Sequence, residues 1–226
     1  MKIGRHVSLN SYKHDLPVDC IQVFTKSPQV YHQFGNDHPR DFGTLHVVSH
    51  CGYLVHLKHG PGSNSARGLL HEAERCSKIG IPALVCHLSS GPLAPQLELI
   101  NSLADRWPPD VKLLVENNCR EPWQEALDLA DMVGAGLCFD TCHAWAAGCP
   151  MDEWPTDCHV YHVNGSEFKF GARRDRHSTL ASGTIPYDEL VGFLRQCDNN
   201  ALLILETPVV GIMAFNELVT LREVLS

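Results

Sequence analysis

The sequence predicts an α/β chain closed into one eight-stranded (β/α)8 barrel, and three observations lead there. Eight short apolar runs recur along 226 residues, most of them ending in a polar residue. Amphipathic stretches of helical spacing lie between the later runs, and alternating strands and helices imply a parallel sheet with crossover helices. No G-x-G-x-x-G follows the first run, so the open doubly wound alternative lacks its phosphate-binding turn. Eight strands in 226 residues sit near the lower size limit of the TIM barrel. With no linker, internal repeat or low-complexity tract, residues 1–226 read as a single domain.

The eight runs are KIGRHVS (2–8), DCIQVFT (19–25), TLHVVSH (44–50), IPALVCH (81–87), VKLLVE (111–116), GLCFD (136–140), CHVYHVN (158–164) and LLILE (202–206). Helices are expected over 66–80 with Gly80 as stop, then over 95–107, 122–133, 186–197 and 215–225. A short Ala-rich helix is expected after Asp140. Pro or a small polar residue opens several of them, as helix starts prefer. The first two helices should be short or missing: residues 9–18 leave little room, and 28–43 is rich in Pro, Gly, Asn and Asp.

Composition narrows the function classes. At 44% hydrophobic and 19% charged the chain is ordinary for a globular protein, with enough apolar residues for one sizeable core. A formal net charge of -8 argues against a generic nucleic-acid binder, which carries a basic face. Ten cysteines include no C-x-x-C pair, so a cysteine zinc finger is excluded and free thiols in a reducing, intracellular compartment are expected. The N-terminal MKIGRHVSLNS is too polar for a signal peptide. Glu206, Thr207 and Pro208 interrupt the late apolar segment LLILETPVVGIMAF, so it is no membrane span. Fourteen histidines are many for this length, and their positions matter more than their number.

The last or nearly last residues of runs three to eight are His50, His87, Glu116, Asp140, His162 and Glu206. All six can bind a metal. Side chains alternate along a strand, so Val48, Val85, Leu114, Cys138, Val160 and Ile204 share their phase. With His46, also in phase with His50, the partners are mostly apolar, as a filled barrel interior requires, and the six end residues then converge on the C-terminal mouth. Any one of them alone would more often be a helix cap or a satisfied structural histidine. Six together are different, because carboxylates converging on one mouth repel and cations relieve them. Mixed His and carboxylate donors without Cys suit zinc, manganese or iron. Off the strands, His143, Asp175 and His177 would make a further three-ligand set.

With these residues in place the chain resembles the endonuclease IV family of apurinic/apyrimidinic (AP) endonucleases. The matching stretches are HVS (6–8), FTK (24–26), HCGYL (50–54), VEN (115–117), DTCHAWAAG (140–148), HVNGSEFKFGARRDRH (162–177) and LILETP (203–208). The resemblance implies three zinc ions per chain. One would lie on His50, His87 and Glu116, a second on Glu116, Asp140, His162 and Glu206, and a third on His143, Asp175 and His177. It further implies that metal-activated water hydrolyses the DNA phosphodiester 5′ to an abasic site, leaving a 3′-hydroxyl and a 5′-deoxyribose phosphate. Glu116 would bridge two ions and orient the water, and repair of blocked 3′ ends would be a second activity of the same chemistry. Three divalent ions against four carboxylates would leave the site at about +2 and the chain at about -2, which answers the charge objection.

The same resemblance marks double-stranded DNA with abasic or blocked 3′ ends as the partner of a monomeric enzyme. Tyr53, Leu54, Lys26, Gln29, Arg173, Arg174 and Arg176 would be its DNA contacts. The chain departs from the family where NNCREP (117–122) replaces a Gly-containing loop, where Gln29 stands for an Arg, and where STLASG follows His177. Two alternatives compete: a sugar isomerase or epimerase using one metal on Glu116, Asp140, His162 and Glu206, and a protein that binds damaged DNA without cutting it.

Overall fold

The computed structural model describes residues 1–9, 17–33 and 37–226. Eight parallel strands form its centre: β1 Lys2–Ser8, β2 Cys20–Phe24, β3 His46–His50, β4 Ala83–His87, β5 Lys112–Glu116, β6 Gly136–Asp140, β7 Val160–His162 and β10 Leu202–Leu205. They close into a barrel in the order β1-β10-β7-β6-β5-β4-β3-β2. Six helices follow the later strands: α1 Asn64–Ile79, α2 Leu93–Asn101, α3 Gln124–Val133, α4 Thr141–Ala147, α5 Tyr187–Leu194 and α6 Gly211–Leu225. Among the described residues no helix links β1 to β2 or β2 to β3. Residues 10–16 of the first of these connections lie outside them.

All eight expected strands are present, β1 and β6 at full length and most of the others one or two residues shorter. The trimming is largest in β7, where Asn164 leaves the sheet to exchange hydrogen bonds with Thr141: its amide donates to Thr141 Oγ1 at 2.9 Å, and that hydroxyl donates to its carbonyl at 2.8 Å. The sequence reading omitted a short antiparallel ribbon, β8 Gly165–Ser166 with β9 His177–Ser178, inserted between β7 and α5. The expected helix over 95–107 ends at Asn101 and continues as a 3-10 turn at Ala104–Arg106. α6 starts at Gly211, four residues ahead of the expected Phe215.

Period-two phase fills the barrel as expected. Val48, Val85, Leu114, Cys138, Val160 and Ile204 pack in one buried interior cluster with Cys20, Ala83 and Leu202. The β1 contribution at this level is Gly4, because a Cβ there would stand 1.7 Å from the Cys20 carbonyl oxygen. Alternate strand residues face outward against the helices. Phe139 and Tyr161 do so, meeting Trp154 and Phe193 in an aromatic cluster with ring centroids 5.1 to 6.2 Å apart. Fully buried leucines such as Leu99, Leu129 and Leu190 each contribute roughly 2 kcal/mol to this outer layer. The ten cysteines are free thiols, all buried except the half-exposed Cys119. Among the described residues no helix is long and apolar enough to cross a membrane.

Candidate metal centre at the barrel mouth

Strand direction delivers the donors. β3, β4, β5 and β6 end on His50, His87, Glu116 and Asp140, β7 ends on His162, and Glu206 follows β10 by one residue. Glu116 sits at the centre and is fully buried. Its Oε2 lies 3.0 Å from His50 Nε2 and 3.4 Å from His87 Nε2. Its Oε1 lies 3.0 Å from His162 Nδ1 and 3.4 Å from His143 Nδ1. Burial opposes charge on this carboxyl, yet His87, His162 and His143 outweigh that and hold it well below the usual range. The same balance runs the other way on His162 and His143. Burial disfavours their charged forms, but Cys138 and Glu206 around His162, and Asp140 and Asp175 around His143, raise both well above an ordinary histidine.

Two of the three expected ligand sets form compact groups. The donor atoms of Glu116, Asp140, His162 and Glu206 lie within 4.8 Å of one another, as do those of His143, Asp175 and His177. The set of His50, His87 and Glu116 is joined through Glu116 Oε2, with the two imidazole centroids 4.9 Å apart. His50 also groups with Glu116 and His162, and His87 with Glu116 and His143.

α4 and the ribbon build the third set. Asp140 caps α4, its Oδ1 accepting the His143 amide at 2.7 Å. Gly148 ends that helix with φ 87°, in the left-handed region glycine tolerates. The loop carrying Asp175 and His177 is pinned to the helix by backbone bonds: the Gly171 amide donates to Trp145 and the Arg173 amide to Ala146. Arg173 itself takes φ 54°, the only non-glycine residue with positive φ among those described, and that bend turns the loop back over α4.

The donor chemistry fits divalent metal. His177 Nε2 is buried without a hydrogen bond, 3.5 Å from Asp175 Oδ1 and 3.6 Å from Asp140 Oδ2. An orphaned polar atom of this kind costs about 1–3 kcal/mol unless a partner is supplied. Three of the candidate ligand histidines are held in the same way. His50 Nδ1 lies 2.7 Å from the Cys51 carbonyl, His143 Nδ1 2.8 Å from that of Asn117, and His177 Nδ1 3.3 Å from that of Glu206. A proton on each Nδ1 leaves the Nε2 lone pair for an ion, as in histidine-bound metal sites.

Four residues of the site were absent from the sequence reading. Gln22 reaches from β2 to place its Oε1 2.7 Å from His162 Nε2, while its amide donates to Glu206 Oε1 and lies 3.0 Å from His6 Nδ1. His6 stands 3.4 Å from Glu206 Oε1. Asn117 brackets the Asp140 backbone, donating to its carbonyl and accepting its amide. Asn164 donates to Asp140 Oδ2 at 2.7 Å and accepts the Glu206 amide at 2.9 Å. His6 and Gln22 could have been found by continuing the strand phase from Gly4 and Cys20.

The mouth is a cleft of about 620 Å³ lined by His50, Tyr53, His87, His143, Arg176 and His177, among others. Tyr53 stands on its rim, 60% exposed, while Leu54 is half-buried. Gln29, Arg173, Arg174 and Arg176 are exposed. Arg174 lies over the Phe168 ring at 4.0 Å, and Arg176 Nε is 3.6 Å from Glu167 Oε2. Lys26, expected on DNA, is buried instead, its ammonium 2.8 Å from the buried Glu72 carboxylate. Its charge is met inside the protein.

A parallel eight-stranded barrel with clustered His and carboxylate donors at its C-terminal mouth has the place and the donor chemistry to hold metal where barrel enzymes work. The chain belongs to the xylose isomerase-like TIM barrel family, whose model matches residues 14–224. Its relatives include a probable endonuclease 4 of Symbiobacterium thermophilum, 26% identical over 259 residues that cover 92% of this chain and 94% of that protein. The probable endonuclease 4 of Nitrosopumilus maritimus is also 26% identical, over 262 residues and the same shares of both chains. Among solved structures, endonuclease IV from Thermus thermophilus superposes with a TM-score of 0.80 at 25% identity, over 100% of this chain and 99% of that one.

Proposed function

We propose that the protein is a DNA-repair AP endonuclease, a zinc-dependent hydrolase that cuts the phosphodiester 5′ to an abasic site. The products are a 3′-hydroxyl and a 5′-deoxyribose phosphate. The observation that carries this reading is the presence of a second compact donor group, His143, Asp175 and His177, beside Glu116, Asp140, His162 and Glu206. A single-metal sugar isomerase needs only the latter. The endonuclease 4 relatives and the endonuclease IV neighbour support the same substrate class.

Three zinc ions would be held by His50, His87 and Glu116, by Glu116, Asp140, His162 and Glu206, and by His143, Asp175 and His177. Bound divalent ions supply water of lowered pKa and offset phosphate charge. The chain's own groups do the rest. Glu116 turns each carboxylate oxygen towards different histidines, so it can join two sites and accept a hydrogen bond from the attacking water. The Cys51, Asn117 and Glu206 carbonyls hold three imidazoles in the liganding tautomer. Arg173, Arg174 and Arg176 lie in one exposed loop at the rim and would meet phosphates flanking the lesion. Tyr53 would fill the stack that the abasic nucleotide vacates. The enzyme would act as a monomer inside the cell on double-stranded DNA with abasic or blocked 3′ ends.

The test is nicking of an oligonucleotide duplex holding one abasic site, with metal analysis of the same preparation. Cleavage 5′ to the site, lost on chelation and restored by zinc, with about three ions per chain, is expected. One ion per chain with turnover of an aldose or ketose would instead establish the isomerase. Tight binding of the abasic duplex by zinc-loaded protein without any nick would establish a non-cutting binder.

A further inference from the structure

Beneath Tyr53 one buried ion pair ties two loops to a helix. Lys26 follows β2 and Glu72 lies on α1, both buried, with the ammonium 2.8 Å from Glu72 Oε1. The same oxygen accepts the Gly52 amide at 2.7 Å and the Cys51 thiol at 3.5 Å. Lys26 Nζ donates onward to the Val30 carbonyl at 2.5 Å, and the Tyr53 amide donates to the Pro28 carbonyl at 2.8 Å. A Cβ on Gly52 would stand 2.9 Å from both Lys26 Nζ and the Pro28 carbonyl oxygen, so only glycine lets the loops meet this closely. Tyr53, the next residue, packs edge-on against Phe24 with centroids 5.4 Å apart, and Phe24 meets His50 at 5.7 Å.

A buried ion pair is a weak source of net stability, since apolar residues of similar volume often serve as well. Its value here lies in direction: one carboxylate oxygen fixes both the backbone before Tyr53 and the lysine that holds the opposing loop. We propose that the Lys26–Glu72 pair is the positioning device that sets Tyr53 on the rim, and that Lys26 acts on DNA engagement through Tyr53 without touching a phosphate. This rests on the nucleic-acid reading of the mouth, and the experiment separates the two.

The zinc-loaded full chain is compared with Glu72→Gln and with the apolar replacement Lys26→Met/Glu72→Leu, which leaves no unpaired buried charge. Amide hydrogen exchange at Gly52 and Tyr53 needs no substrate and should speed up at least about tenfold in both variants, with metal content unchanged. KM for an abasic duplex should rise about tenfold while kcat stays within about twofold. Tyr53→Ala should raise KM by a similar factor, and adding Glu72→Gln to it should raise KM no further. Unchanged exchange in the apolar variant overturns the positioning role. So does a further KM rise in the Tyr53→Ala background, or a loss of kcat that tracks lost metal. If the unaltered protein neither binds nor nicks the abasic duplex, the nucleic-acid reading fails, and the exchange data alone decide the role of the pair.

Discussion

Asp140 divides its carboxylate between His143 and the mouth. Oδ1 accepts the His143 amide at 2.7 Å and starts α4, while Oδ2 lies 3.6 Å from His177 Nε2 and 3.9 Å from His162 Nδ1. The three-residue spacing is that of an N-cap and the amide it accepts, because Asp140 precedes the helix that carries His143, with the two side chains 3.9 Å apart. One residue serves as cap and as candidate ligand, and the two tasks separate by substitution. Asp140→Ala should cost the metal-free protein about 1 kcal/mol through the lost cap, and should also lose bound zinc. Denaturant unfolding in chelator, paired with metal analysis of the loaded protein, measures both.

His143→Ala is the complementary change. It keeps the backbone amide and hence the cap, but removes the imidazole whose Nε2 lies 3.3 Å from Asp175. One of the three proposed ions should be lost, nicking should fall by at least about a hundredfold, and far-UV dichroism should be unaltered. A variant that retains all its metal and nicks at the original rate would remove His143 from the site.

Gln22→Leu probes the layer behind the ligands. Gln22 holds His162 Nε2 through its carbonyl and Glu206 through its amide, and lost outer-layer partners typically cost 10- to 100-fold in metal affinity. Competition against a chromophoric chelator should show a loss of about that size for one ion while the fold persists. Equal affinity would mean that His162 needs no such support.

Gln22 also marks where the sequence stopped being readable. Six strand ends were legible because a metal-capable polar residue stands at or near the end of each of the six apolar runs, from His50 to Glu206. His6 lies as far from its run end at Ser8 as His162 does from Asn164, and only the strand phase from Gly4 and Cys20 would have drawn His6 and Gln22 into the site. The ribbon of Gly165–Ser166 with His177–Ser178 pairs only two residues per strand, too few for a period to show. The FTK stretch places Lys26 on DNA, because its partner Glu72 lies 46 positions away on another element, a distance no local pattern reports. Asp175 and His177 were legible as donors, whereas the backbone bonds that bring them to α4 were not.

Gly4→Ala tests the barrel closure. The new methyl would sit 1.7 Å from the Cys20 carbonyl oxygen, and backbone in a paired strand has nowhere to retreat. The cost should reach about 3 kcal/mol or more, at the upper end of overpacking. It would be read as a shift in the urea midpoint. An unshifted midpoint would contradict the close approach of β1 to β2.

Metal removal should loosen the whole barrel, because its donors come from six different strands and the helix and ribbon beside them. Binding to the folded state alone stabilises by RT ln(1 + [L]/Kd), about 4 kcal/mol at a thousandfold excess over Kd. For a chain of this length each kcal/mol moves the melting midpoint by about 2–4 °C. Chelation should therefore lower the midpoint by roughly 10 °C, and zinc should restore it. His143→Ala should show a smaller shift, since it keeps the other two donor sets. A midpoint that does not move, in protein verified to have lost its metal, would mean that the donors gathered around Glu116 hold the mouth together by their own ion pairs and hydrogen bonds. In that case the close contacts of Glu116 with His50 and His162 would be structural in purpose.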